Sequence, residues 1–184
     1  DLRMSRGLGD VYKRQYVYNA IKSGNWYPLY DPAWYNGVEI LRYWSPFPAY
    51  VMAFCQYLAG GSQFGAYLFY IGGVCFLGAC VWPFIGRGFN RPYLGAFIGL
   101  LWFFIPNNLC AIFIEGNLAR SLSMIFLPVF IYSVYKYLYN HKLRYIPLMV
   151  FTFLLMELCH LGYAGMVAIA VILSLIHISE PTRH

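Results

Sequence analysis

Six polar residues that could take part in binding or catalysis interrupt an otherwise apolar chain in two short stretches. They are Asp31, Glu39 and Arg42 in the first stretch, and Glu115, Asn117 and Arg120 in the second. Glu115 and Asn117, separated by one glycine, bring a carboxylate and an amide together where one apolar run ends and the next begins. This grouping predicts a polar functional site. The equal alternative is an ordinary exposed loop in which Arg120 pairs with Glu115.

A second pair of ionisable residues lies inside the last apolar run. Glu157 and His160 are three residues apart, which would place them on one face of a continuous helix. Ionisable groups within a membrane span are costly and usually face a cavity or one another. The pair is therefore either a mutually hydrogen-bonded buried pair or a proton or substrate site. We expect no metal site here, because two ligands without a third are weak evidence for one.

The composition is that of a membrane protein. The chain is 60% hydrophobic and 11% charged, with a mean hydropathy of +0.54, whereas soluble domains have about 25% charged residues. The net charge of +6 is modest and favours membrane topology over nucleic-acid binding. Phosphate-binding glycine loops and soluble hydrolase motifs do not occur between residues 16 and 172, so the sequence gives no support to nucleotide-driven transport or to familiar soluble hydrolase mechanisms.

Four apolar windows are long enough to cross a bilayer, which needs about 20 residues. They are Phe64–Ile85, Pro92–Phe113, Leu118–Leu138 and Tyr145–Ile172. The sequence thus predicts an all-α polytopic membrane protein with about four transmembrane helices in residues 64–172. Residues 16–45 read as a polar, aromatic loop, and residues 46–60 as a short helix that lies along the membrane surface.

The basic residues predict the topology. They fall in two loops that are two spans apart, Arg87 with Arg91, and Lys136 with Lys142 and Arg144. Because cytoplasmic loops collect Lys and Arg, both loops are expected inside. The two polar stretches and the surface helix would then lie at the outer face.

Both ends of the chain resemble translated sequencing adapter. Residues 5–15 (SRGLGDVYKRQ) and 173–183 (LSLIHISEPTR) can be encoded by opposite strands of one transposon-adapter oligonucleotide. Such segments are set aside before fold reasoning. We therefore assign no function to residues 1–15 and 173–184, and we expect the chain to be a fragment that is inactive alone.

Aromatic residues crowd the first loop. They are Trp26, Tyr27, Tyr30, Trp34, Tyr35, Tyr43 and Trp44. Trp and Tyr are typical of the membrane interface, and they would equally suit stacking on sugar rings. An interfacial belt is the preferred interpretation for most of them.

Three motifs carry a resemblance to a known family. They are GNWYPLYDPAWYNGVEILRYWSPFPAYVMA, then IEGNLARSLSMIFLPVFIY, then MELCHLGYAGM. Together they resemble the 6-pyruvoyl-tetrahydropterin synthase-related membrane proteins and, more distantly, the GT-C superfamily of lipid-linked glycosyltransferases. GT-C enzymes have a large first outer loop with juxtamembrane helices. The zinc-ligating histidine cluster of the soluble pterin enzyme is absent from this sequence, so the resemblance does not imply the synthase reaction.

The resemblance implies a glycosyltransferase that uses a polyprenyl-phosphate sugar at the outer face of a cell membrane, of bacterial or archaeal type. In GT-C enzymes an acidic residue at the start of the first outer loop acts as base or metal ligand, so a divalent cation is the one cofactor implied. In this chain that point would precede Tyr16, and Asp31 or Glu39 matches it only loosely. The candidate catalytic residues are Asp31, Glu39 and Glu115, and the candidate substrate-binding residues are Arg42, Tyr43, Asn117, Arg120, Glu157 and His160. The donor phosphate would need a positively charged side chain as its partner, and Arg42 or Arg120 is our candidate.

Two other functions remain open. A transporter or flippase would use Glu157 and His160 as its working residues, with the outer loop as a lid. A non-catalytic assembly protein would bind a lipid or a partner helix and would need no single carboxylate.

Overall fold

A computed structural model describes residues 14–32, 37–102 and 104–179. The helices that it contains are α1 (residues 14–22), α2 (Ile40–Tyr43), α3 (Pro46–Leu58), α4 (Gln63–Gly88), α5 (Pro92–Trp102), α6 (Pro106–Leu109), a π-helix (Cys110–Ile114), α7 (Leu118–Asn140), α8 (Tyr145–Cys159) and α9 (Leu161–Ser179). An isolated bridge between Asp31 and Val38 is the β-type pairing in these ranges. The predicted all-α class is confirmed. Residues 1–13 and 180–184 of the adapter-like ends lie outside the described residues, as do Trp34 and Tyr35 of the aromatic loop.

The predicted spans divide into continuous and broken helices. Among the described residues, α4 and α7 are long and apolar enough to cross a membrane. The helix α5 and the segment Pro106–Ile114 form a pair bent by 42°, which brings the number to three if the pair is one span. The fourth predicted window is broken at His160 into α8 and α9. The prediction of four spans therefore identified the apolar segments correctly but missed two breaks.

Proline accounts for the first break. Pro106 begins α6, and the preceding Ile105 is extended with ψ of 126°, as expected for a residue that precedes proline. Pro83 and Pro128, by contrast, lie within α4 and α7 without ending them. Proline alone therefore does not decide where a span breaks.

The helices α4 and α7 run parallel and are joined by a hydrogen bond near each end. The Tyr70 hydroxyl donates to the Leu118 carbonyl at 2.7 Å, and the Lys136 ammonium donates to the Gly88 carbonyl at 2.7 Å. Both helices advance 18 residues between these contacts (70 to 88 and 118 to 136), or about 27 Å at 1.5 Å per residue. This distance approaches the thickness of a hydrocarbon core, about 30 Å.

The second of these hydrogen bonds brings the two basic loops to the same end of the bundle, as their two-span spacing predicts. We call this end the basic end. Its cationic residues are Arg87, Arg91, Lys136, Lys142 and Arg144.

Close backbone contact packs α5 on α4. A Cβ on Gly95 would lie 2.4 Å from the Trp82 carbonyl oxygen, and a Cβ on Gly99 would lie 2.4 Å from that of Ala79. Small residues commonly allow this approach between membrane helices. The α4–α5 hairpin therefore depends on glycine at both positions.

The helix α3 packs into the main apolar core near the far end of the bundle. Met52 and Cys55 of α3 contact a buried cluster that includes Tyr70, Leu122 and Cys159. The helix spans residues 46–58, close to the predicted 46–60. Its placement along the membrane surface remains a prediction.

The Tyr70 hydrogen bond generates a stability prediction. Tyr70→Phe removes the hydroxyl that reaches the Leu118 carbonyl from α4, while Ser121 of α7 also donates to that carbonyl at 2.9 Å. We expect the unfolding free energy to fall by about 1 kcal/mol, measured by SDS titration of the detergent-solubilised protein with circular dichroism. Tyr67→Phe, one turn earlier on α4, is the matched control and should cost less than half as much. Equal effects of the two changes would contradict this role for Tyr70.

Candidate functional site

The candidate site lies where three helix ends meet. The π-helix ends at Ile114, α7 starts at Leu118, and the break between α8 and α9 lies at His160. Gly116 turns the chain between the first two helices with φ of +61°, a conformation that favours glycine. π-Helices are rare in proteins overall, and those that occur often lie at functional sites.

Asn117 caps the start of α7. Its side-chain Oδ1 accepts from the Arg120 backbone N–H at 3.0 Å. This contact fixes the orientation of the amide, since Oδ1 must face α7 and the Nδ2 group must point away from it. The Nδ2 group lies 3.5 Å from His160 Nε2.

The Arg120 side chain joins two of the three helix ends. Its Nη1 donates to both Glu115 carboxylate oxygens at 3.0 and 2.9 Å, and its Nη2 donates to Asn107 Oδ1 at 2.6 Å. The side chain of Arg120 is 22% exposed and that of Glu115 is 39% exposed. The Arg120–Glu115 pairing that the sequence left open is therefore present.

His160 caps α9 in place of the usual serine or aspartate. Its backbone is extended, with φ of −158° and ψ of 93°, and its Nδ1 accepts from the Tyr163 backbone N–H at 3.1 Å. Since α8 ends at Cys159, Glu157 and His160 do not share one continuous helix. The expected shared face is wrong, and no hydrogen bond joins the two side chains within the described part of the chain.

At His160, two hydrogen-bond donors face each other. A neutral imidazole has one acceptor nitrogen, and here Nδ1 takes that role toward Tyr163. The Tyr163 N–H is shared with the His160 carbonyl oxygen at 3.0 Å. In the tautomer in which Nδ1 is the acceptor, the proton resides on Nε2, which faces the Asn117 Nδ2 group, also a donor. Two N–H groups thus converge on one point beside Arg120. An oxygen acceptor from a ligand or from water would satisfy both.

The site lies at the end of the bundle opposite the basic end. It is level with Leu118, about 27 Å from the basic end by helix length. The helix α4 begins at Gln63, seven residues before Tyr70, and so extends about 10 Å farther. A hydrocarbon core of about 30 Å that began at the basic end would therefore just include the polar cluster.

The first polar stretch forms a separate group. Arg42 donates to Glu39 at 2.7 Å, and this hydrogen bond raises the pKa of the guanidinium. Tyr43 is 72% exposed and makes an edge contact with Trp44. Within the described ranges, no hydrogen bond or ion pair joins Glu39 or Arg42 to the Glu115–Arg120 pair. The structure thus places the predicted site residues in two groups instead of one.

Asp31 is buried beneath the first loop. Its backbone pairs with that of Val38 through hydrogen bonds of 2.9 and 3.0 Å, and the residue is 2% exposed. Burial raises the pKa of nearby Tyr16, and the Asp31 carboxylate raises it further. Asp31 thus anchors the loop at its base.

Sequence reasoning missed two polar residues of the site. Asn107 accepts from Arg120, and Asn108 Nδ2 donates to the Trp102 carbonyl at 2.6 Å across the first break. The signal was the Pro-Asn-Asn run at 106–108 inside a predicted span. Within the described ranges, no three His, Cys, Asp or Glu side chains are grouped as a metal site would require.

Double-mutant cycles can compare the coupling free energy of the Glu115–Arg120 ion pair with that of a matched control pair. We expect Glu115→Gln with Arg120→Gln to give a coupling of about 1 kcal/mol, because Arg120 is partly buried and bidentate. The exposed pair Glu39→Gln with Arg42→Gln should give about 0.3 kcal/mol. Both couplings follow from unfolding titrations of the single and double variants. A larger coupling for the Glu39–Arg42 pair would contradict the structural role assigned to Arg120.

Comparison with known proteins agrees with this architecture. The family described as "6-pyruvoyl-tetrahydropterin synthase related domain; membrane protein" matches residues 41–183. The match includes α3 to α9, both helix breaks and the polar cluster, and it extends over the C-terminal segment that resembles adapter. No curated protein and no solved structure matches the chain. The chain therefore belongs to the 6-pyruvoyl-tetrahydropterin synthase-related family of membrane proteins.

Proposed function

We propose that this protein is a membrane-embedded glycosyltransferase and that the polar cluster binds the phosphate of a polyprenyl-phosphate sugar donor. The observation that carries the proposal is the convergence of Asn117 Nδ2 and His160 Nε2, two donors without a shared acceptor, beside the Arg120 guanidinium. We place the site at the outer face of a multi-pass protein in the cell membrane, of bacterial or archaeal type, because the basic loops lie at the opposite end.

The position and chemistry of the cluster suit a lipid phosphate. A polyprenyl chain enters from the hydrocarbon core, and its phosphate stays near the boundary, where the cluster lies. The N-termini of α7 and α9 both point toward Asn117 and His160, and helix N-termini favour negative charge. Arg120 adds a guanidinium whose planar donors match phosphate oxygens.

Exchange of partners at Arg120 would provide the catalytic base. When the guanidinium turns from Glu115 to the donor phosphate, the Glu115 carboxylate becomes free to take the proton of an acceptor hydroxyl. The acceptor oxygen then bonds to the anomeric carbon of the sugar, and the bond from that carbon to the phosphate oxygen breaks. The leaving group is polyprenyl phosphate. General-base help of this kind contributes about 10²–10⁴-fold.

The first loop would hold the sugar and the acceptor. Tyr43 offers an exposed ring for stacking on a sugar, and Arg42 and Glu39 offer hydrogen bonds to its hydroxyl groups. Glu39 and Asp31 are the other candidates for the base. A divalent cation bound by the donor phosphate is compatible with this arrangement.

A transporter or flippase is the second candidate, and the broken helices favour it. Transporters commonly use discontinuous helices whose freed backbone groups contact the substrate. Here the breaks before Pro106 and at His160 lie near the same end of the bundle. In that function Glu157 and His160 would act on a substrate that moves across the membrane.

The phosphate site can be tested with Asn117→Asp. Aspartate caps a helix as well as asparagine does, so α7 should remain intact while a donor becomes a negatively charged acceptor. We expect binding of a short prenyl phosphate to weaken at least tenfold, since hydrogen bonds to charged groups contribute about 1.5–3 kcal/mol. The measurement is a binding titration of the full chain in lipid nanodiscs. Asn25→Asp is the matched control, because Asn25 Oδ1 also accepts a backbone N–H in an exposed turn. Equal binding by Asn117→Asp and the unchanged protein would refute the phosphate site.

Two activities separate the candidate functions. In proteoliposomes that hold the longer protein to which this fragment is expected to belong, Glu115→Gln should lower sugar transfer from a prenyl-phosphate donor by about 10²-fold if it is the base, while Glu157→Gln leaves transfer unchanged. A flippase predicts the reverse, with lipid movement lost in Glu157→Gln and retained in Glu115→Gln. A non-catalytic assembly protein predicts that neither carboxylate matters to either activity.

A further inference from the structure

The basic end carries positive charge that is not neutralised by nearby carboxylates. Arg87, Arg91, Lys142 and Arg144 are all exposed there. The acidic residues among the described part of the chain are Asp31, Glu39, Glu115 and Glu157. Glu157 is the one on α8, and it lies 12 residues from Tyr145, or about 18 Å along the helix. Among the described residues, the patch therefore presents positive charge without a nearby carboxylate.

Lys136 and a row of aromatic rings hold the two basic loops together. The Lys136 ammonium donates to the Gly88 carbonyl and lies 4.5 Å from the Phe89 ring centroid and 5.6 Å from that of Tyr132. Tyr132 makes edge contacts with Phe89 at 5.6 Å and with Tyr145 at 6.1 Å. Cations from two separate loops thus share one surface.

Arg144 belongs to the same surface. Its guanidinium lies 5.1 Å from the Tyr145 ring centroid and donates to the Tyr145 hydroxyl at 3.2 Å. Four of its five N–H donors remain available, since Arg presents five. This geometry suits an incoming phosphate.

We propose that the basic end binds the headgroup of an anionic membrane lipid. The phosphate would contact Arg91 and Arg144, and the acyl chains would lie on the apolar side chains beside them. Phe84, Tyr139 and Leu143 are 74%, 74% and 70% exposed and form that apolar border. Basic sites at the ends of membrane helices bind anionic headgroups in this way. A soluble polyanion shares the charge chemistry but gains nothing from the apolar border.

The experiment measures lipid retention by the full chain. Protein in neutral detergent is mixed with phosphatidylglycerol, and bound lipid is counted by native mass spectrometry. We expect Arg91→Gln and Arg144→Gln each to weaken binding about fivefold, because a basic residue near an anionic surface contributes about 1 kcal/mol. The control Lys22→Gln removes one exposed charge from α1 and should leave binding unchanged.

Two further measurements keep the proposal falsifiable. Arg91→Lys and Arg144→Lys retain the charge and should keep most of the binding, which separates loss of charge from misfolding. Pyrophosphate should compete weakly with the lipid. The proposal fails if all variants retain lipid equally, or if pyrophosphate displaces the lipid fully at equal concentration, which would indicate a soluble anion as ligand. Neither outcome bears on the phosphate site at the opposite end.

Discussion

Backbone groups freed at a helix break need new partners wherever water is scarce, and this constraint shapes the end of the bundle that holds the polar cluster. An unsatisfied N–H or C=O in hydrocarbon costs several kcal/mol. Asn108 satisfies the Trp102 carbonyl at the end of α5. Asn117 and His160 satisfy the first turns of α7 and α9. Each break is thus compensated by a polar side chain from a nearby position.

The side chains that satisfy the breaks are the same ones that form the candidate site. Asn117 uses its oxygen for the cap and keeps its amide N–H groups for a ligand, and His160 uses Nδ1 for the cap and keeps Nε2. A polar residue near hydrocarbon is costly unless its polar atoms are hydrogen-bonded. A side chain that both caps a helix and offers donors to a ligand therefore reduces the number of polar residues needed there. Removing the Asn117 or His160 side chain would therefore disturb folding and binding together. Changing only the atoms that do not take part in the helix caps would separate the effect on binding from the effect on folding.

Apolar composition and the length of the apolar windows predicted the fold class, and the spacing of the basic residues predicted that the two basic loops share one end. The breaks were harder to predict, because proline ends a helix before residue 106 but is tolerated within α4 and α7. His160 is not a helix breaker by propensity. Its extended backbone depends on the cap that it makes to Tyr163 and on its contact with Asn117, and such tertiary contacts are invisible in the sequence. For the same reason the shared helical face of Glu157 and His160 was wrong, and Asn107 was missed as a partner of Arg120.

The bundle combines a rigid pair of helices with a broken pair of segments. The continuous helices α4 and α7 are joined at both ends, and this fixes the distance between the basic end and the polar cluster. Half of the most apolar window of α7 is buried, against 17% for α4, so α7 is the central element on which the others pack. The segments with interrupted backbone hydrogen bonding, around Pro106 and His160, border the cluster. Local opening has its lowest free energy where such ladders are interrupted, so the broken segments are expected to open before α7, which keeps Asn117 and Arg120 in place.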